Sequence, residues 1–88
     1  MSADVLTKVC RATVVASPTG LKSAKATDRF VDDLGFDSLQ MASLSLALES
    51  ELGRPILLND WIAGAEDTSN LTVQSLVDYL TPILAEED

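Results

Sequence analysis

Between Asp37 and Pro55 the chain carries start and stop signals for one helix, and that segment limits the folds open to the rest of it. Asp37 is a carboxylate N-cap that can accept from the backbone N–H of Gln40, whose side chain can reach back as in a capping box. Phe36 and Met41 stand at the two positions of a hydrophobic staple. Gly53 tolerates the left-handed turn that ends a helix, and Pro55 cannot continue one. The signals predict a helix over 38–52. At about 100° per residue, Met41, Leu44, Leu48 and Leu52 share one narrow arc suited to a core. Leu39, Ala42 and Leu46 form a second arc roughly 140° away. A helix in so small a protein rarely buries both, so the second arc reads as an exposed apolar strip, the alternative being burial under the preceding loop.

The flanking segments read as further helices. Val5, Leu6, Val9, Ala12 and Ala16 recur at helical spacing and predict a helix over 2–16, which Pro18 and Gly20 stop. Residues 17–37 mix Gly, Ser, Thr, Lys and Asp with the apolar anchors Leu21, Phe30, Val31 and Leu34, the pattern of a long pinned loop. The apolar clusters at Ile56–Leu58 and Trp61–Ile62 suggest a short helix over 59–64. Thr72 caps a last helix over 72–85, with Leu71 stapled to Leu76 and Val73, Val77, Leu80, Ile83 and Leu84 on the same face.

With 88 residues, 47% of them hydrophobic, the chain has material for one small core and no room for a second domain, so residues 1–88 are expected to form one unit. The formal charge is −8. That argues against nucleic acid and anionic membranes as partners and favours a partner with a basic patch. Five of the six bases lie in residues 1–29, so the acidic field belongs to the later segment. Cys10 is the single cysteine and there is no histidine, which leaves no ligand set for zinc and no metal site is expected. Cys10 reads as a half-buried small hydrophobe on the first helix. No apolar run reaches the ~20 residues of a membrane span, and the first residues lack a secretory pattern, so a cytoplasmic monomer is expected.

Ser38 projects from the start of the central helix, between the two apolar arcs. As a nucleophile it has no histidine to activate it, and Lys22 and Lys25 stand on the far side of a long loop. The carboxylate pairs Asp32–Asp33 and Glu49/Glu51 match neither a calcium loop nor an acid–base pair in a cleft. Glu49 and Glu51, beside the apolar strip, can steer a basic partner.

The string Leu34-Gly35-Phe36-Asp37-Ser38-Leu39 resembles the LGxDSL attachment motif of acyl carrier proteins. Leu44, Leu48-Glu49 and Leu52-Gly53 follow at the spacing of that family's second helix, and Thr72-Val73-Gln74 through Asp78-Tyr79-Leu80 looks like its last one. Phe30 and Asp33 suit the approach to the motif. The resemblance is specific over residues 33–53, looser over 72–80 and weak over 1–26. It implies an all-α four-helix bundle with a short third helix and a long loop between helices 1 and 2. It also implies that Ser38 receives covalent 4′-phosphopantetheine from coenzyme A through a separate, magnesium-using phosphopantetheinyl transferase. Asp37 and Leu39 would flank the attached group, whose phosphodiester would sit at the positive end of the helix. The chain would then be a non-catalytic carrier, holding an acyl or aminoacyl group as a thioester for an activating ligase and downstream acyl-handling enzymes. Leu39, Ala42, Leu46 and Glu49 would meet those partners.

Two departures bear on the partners. Gln40, Ser43, Ser45 and Ser50 stand where fatty-acid carriers are rich in acids, and the connection over 54–71 is longer than usual and carries Trp61. Trp61 reads either as a core anchor or as a docking contact in that segment. Both departures point to a specialised pathway in place of housekeeping fatty-acid synthesis. The alternative reading is an unmodified acidic helical protein that binds a basic partner, and a small hydrolase is a distant third.

Overall fold

The computed structural model describes residues 2–17 and 20–85. It is all-α: α1 (Ser2–Ala16), α2 (Ser38–Leu52), the short α3 (Asn59–Gly64) and α4 (Val73–Ala85), with one 3-10 turn at Thr68–Asn70. The expected fold class, with its short third helix and long α1–α2 connection, is the one observed. No helix among the described residues is long and apolar enough to cross a membrane.

The signals at the ends of α2 act as read. Asp37 Oδ1 accepts from the amides of Leu39 and Gln40 at 2.9 and 3.1 Å, and the Asp37 amide donates to Gln40 Oε1 at 3.3 Å. Gly53 takes φ 70° and its amide donates to Glu49 O. Of the two apolar arcs, one supplies the fully buried Leu44 and Leu48, while Leu39 and Leu46 of the other face solvent.

The long connection is organised by the helix it meets. A helix start leaves its first amides without intrahelical partners. In α4 the loop supplies them: the Val73 amide donates to Asp28 O at 3.0 Å and the Gln74 amide to Ala26 O at 2.9 Å. The third is taken locally, where the Ser75 amide donates to Thr72 Oγ1 and the Thr72 amide to Ser75 Oγ. The loop is also bonded in return, since the Phe30 amide donates to Leu71 O at 2.8 Å. These bonds hold Phe30 at 0% exposure in the middle of the core. Its ring meets Phe36 edge-on at 5.3 Å and Trp61 at 5.4 Å, the geometry that aromatic quadrupoles favour.

Trp61 is therefore a core anchor. It is 6% exposed, and its indole N–H donates to Ser75 Oγ at 3.0 Å. The Ser75 hydroxyl also donates to Thr72 O, so one side chain ties α3 to the cap of α4. At the other end of α4, which runs through Pro82, the Arg54 guanidinium donates to Ile83 O.

Phe30→Ala removes the ring that both other aromatics touch and should cost about 3–5 kcal/mol, read as a lower urea midpoint at unchanged slope. Gly35 has φ +70° and an added Cβ there would meet nothing within 4 Å, so the cost of Gly35→Ala is conformational alone. The same measurement should return about 1–2 kcal/mol for it.

Candidate functional site

The residues ahead of α2 form a closed turn. The amides of Asp33 and Leu34 donate to Arg29 O, the Gly35 amide to Val31 O, and the Phe36 amide to Phe30 O. Asp33 fastens the turn from outside. Its Oδ2 accepts from the Arg29 amide at 2.9 Å and from Nε at 3.1 Å, and its Oδ1 accepts from Nη2 at 3.0 Å. These hydrogen bonds, side chain first and then backbone, with the guanidinium charge, hold the Asp33 carboxyl below the usual carboxylate range. Arg29 is raised in turn by the same partner, and Asp32 adds a weaker pairing at 3.7 Å. The turn delivers buried Phe36 into the core and leaves Asp37, Ser38 and Leu39 exposed.

Ser38 is the first residue of α2 and lines an open cleft of about 870 Å³. Met41, Ala42, Ser45 and Leu46 of α2 form one wall, and Leu57, Leu58, Asn59 and Ile62 form another. Asp37 is the one charged residue on its lining. Leu46 and Leu57 are 66% and 74% exposed at this cleft, and Leu39 is 69% exposed on the strip of α2 that Leu46 shares.

The strip read from the helical wheel is thus open, since Leu39, Ala42 and Leu46 are all exposed and the loop does not cover them. Glu49 is half-exposed, three residues beyond Leu46. Glu51 is turned toward α1, where Arg11 lies 3.8 Å away. Lys22 lines a different cleft, along α1 with Arg11, Val15 and the half-buried Cys10, and not the cleft that Ser38 lines. Burial, then the charge of Asp28, pushes the Cys10 thiol up. Among the described residues no group of three or more Cys, Asp or Glu could hold a metal ion.

Two details of the site lie outside the sequence reading. The exposed pair Leu57 and Ile62 was legible only as part of apolar clusters, because Ile56 (3%), Leu57 (74%) and Leu58 (5%) are all apolar and no residue type sets Leu57 apart. The second concerns the helix start. The Leu39 and Gln40 amides already serve Asp37 Oδ1, so a phosphate on Ser38 would not be held by those two donors.

Over residues 5–80 the chain matches the family described as phosphopantetheine attachment site, and it belongs to that family. The protein is a non-catalytic carrier that bears 4′-phosphopantetheine covalently on a serine.

Asp37→Ala removes the cap of α2 and should cost about 1 kcal/mol in urea denaturation. The Asp33 carboxyl carbon, followed by NMR, should titrate below the ordinary ~3.9 and move back up in Arg29→Ala. A depressed carboxyl stabilises the fold at pH above its unfolded value. That contribution should disappear as pH falls through the folded value, and Arg29→Ala should flatten the acid limb of the stability profile.

Proposed function

We propose that Ser38 is the serine that carries the group, and that the protein presents acyl or aminoacyl thioesters on it to partner enzymes. The observation that carries this reading is the position of one hydroxyl: exposed, first in α2, within Leu34–Leu39, and on the lining of the apolar cleft. The residues suit the group in two respects. The hydroxyl is open to an incoming enzyme, and an arm attached to it leaves the helix beside a cleft large enough to shelter part of its length. The phosphodiester would stand in solvent at the helix start, favoured by the dipole and opposed by the neighbouring Asp37 carboxylate.

Each residue of the chain then has a limited task. Ser38 would offer Oγ to the pyrophosphate phosphorus of coenzyme A that is esterified to pantetheine; the P–O bond to the other pyrophosphate phosphorus breaks, adenosine 3′,5′-bisphosphate leaves, and the serine proton passes to a base of the phosphopantetheinyl transferase. Asp37 fixes the backbone on which Ser38 is presented, through its bonds to the Leu39 and Gln40 amides. Leu39, Ala42 and Leu46 offer the transferase and later enzymes an apolar surface, and Glu49 sets a charge at its far end. When bound, the arm supplies a terminal thiol that forms thioesters with activated acids. The first turn of α2 carries no acidic residue, and Gln40, Ser43 and Ser50 leave its surface weakly charged. This composition supports a specialised pathway, loaded by an acyl- or aminoacyl-activating ligase, over housekeeping fatty-acid synthesis.

Intact-protein mass spectrometry tests the reading, with coenzyme A, magnesium and a broad-specificity transferase. Wild type should gain a single phosphopantetheinyl increment and Ser38→Ala none, with equal helicity by circular dichroism. An increment on Ser38→Ala would move the attachment to another serine, and a folded wild type that gains nothing would refute the reading.

A further inference from the structure

One large exposed apolar residue stands away from the cleft that Ser38 lines. Val15 is 74% exposed on α1, and it lines a second open cleft of about 660 Å³ between α1 and residues 22–24 of the loop. Leu6, Cys10 and Val14 recur every four residues along α1 and line the same cleft half-buried, with Ala24 opposite them on the loop. This row is not the one that holds α1 in the core, which is Val5, Val9, Ala12 and Ala16. From residue 6 to residue 15 is about 14 Å of helix, or two and a half turns. The cleft is also remote from the attachment motif. Glu51 is the one residue of α2 on its lining, thirteen residues beyond Ser38 and so about 20 Å along the helix axis. The two clefts share no residue.

Charge separates this cleft from the rest of a chain of formal charge −8. The cleft that Ser38 lines and the one between α3 and α4 have no base on their linings. This one has two, Arg11 and Lys22, against the single carboxylate of Glu51. Arg11 lies 3.8 Å from that carboxylate with its side chain 66% exposed, a contact worth little in water. Lys22 is exposed and has no ion pair among the described residues. Asp28, whose charge reaches Cys10, is off the lining and accepts from the Lys25 amide. A basic partner would meet its own sign of charge here, and an uncharged one would desolvate Arg11 and Lys22 without pairing them. An apolar face flanked by carboxylates would cover Val15 and pair both bases.

We propose that this cleft receives an acidic amphipathic helix of a partner protein, with its apolar side chains on Leu6, Cys10, Val14 and Val15 and its carboxylates on Arg11 and Lys22. A groove two and a half turns long suits apolar side chains that repeat every three or four residues on such a helix. Because the cleft is remote from Ser38, the partner stays bound while Ser38 is presented to another enzyme. The docking itself does not depend on which serine carries the group.

The test uses two synthetic helical peptides with the same leucines on one face, flanked in one by glutamates and in the other by lysines. Each is titrated into the isotope-labelled protein and followed by amide NMR shifts. The glutamate peptide should shift the amides of Leu6, Cys10, Val14, Val15 and Ala24 saturably and leave those of Ser38 and Leu39 in place. Arg11→Gln combined with Lys22→Gln should weaken its binding about tenfold, and Val15→Ser about fivefold, the size of contacts at an interface. All three side chains are exposed, so the variants should keep the wild-type urea midpoint and a loss of binding is not a loss of fold. Added salt should weaken the binding, since charge contributes to it. Saturating peptide should leave the rate at which a transferase modifies the protein unchanged. No saturable shift at millimolar glutamate peptide, or equal binding of the lysine peptide at these residues, would overturn the proposal. Slower modification with the peptide bound would do so as well, because the two sites would not be separate. So would a dimer in sedimentation equilibrium that Val15→Ser dissociates, because the cleft would then belong to a second copy of the chain.

Discussion

The structure depends on the exchange of hydrogen bonds between the long α1–α2 connection and the first turn of α4. The loop carbonyls of Ala26 and Asp28 complete the start of the helix, and Leu71 O returns a bond to the Phe30 amide. This exchange explains how the connection over 20–37 becomes a fixed part of a small protein. A loop that passes over a helix start can satisfy its own backbone and the helix's at once, so neither is left to water. The Phe30 ring is set in the core as a result, with Phe36 on one edge and Trp61 on another. Phe36 ends the turn that presents Asp37 and Ser38, and Trp61 seats α3 on the α4 cap through Ser75. Both walls of the cleft are therefore located by one buried residue and the bonds that hold it.

The two sides of α2 divide the work. Leu44 and Leu48 are fully buried and attach the helix to α1 and the rest of the core, while Leu39 and Leu46 are left in solvent at real cost. A helix with apolar residues on both sides is poorly amphipathic, and folding alone gives no reason to keep it so. Docking does. The local charge agrees, because Asp37 is the one charged residue on the cleft lining and several of the other acids are engaged by bases away from it. Asp32 and Asp33 are engaged by Arg29, and Glu51 by Arg11. The surface around the proposed attachment serine thus resembles a protein interface: apolar in the middle, polar at the edge.

Much of the fold could be read from the chain because its determinants are local. The capping box at Asp37, the left-handed Gly53, the helical spacing in α1 and the cap at Thr72 all act within four residues of where they stand. Short-range hydrogen bonds and the period of a helix are properties of a segment, so a segment suffices to recognise them. The motif from Leu34 to Leu39 belongs with these, and with it the family and the group carried on a serine. Trp61 stood between two readings because a large aromatic beside a loop serves a core or an interface equally well. Only its edge contact with Phe30 and its bond to Ser75, fourteen residues on, assign it to the core.

The sequence by itself determined that four helices form, where the central one starts and stops, and which hydroxyl stands at its head. Each of those outcomes is decided by neighbours along the chain. Tertiary structure decided what remained: which arc of α2 is buried, that Trp61 faces inward, and that Leu57 is held out by Ser45 and Tyr79, twelve and twenty-two residues away. It also decided that Asp37 spends its carboxylate on the amides that a phosphate would otherwise use. Exposure and hydrogen-bond competition depend on which groups meet in space. That is set by the packing of the whole core around Phe30, and no single segment encodes it.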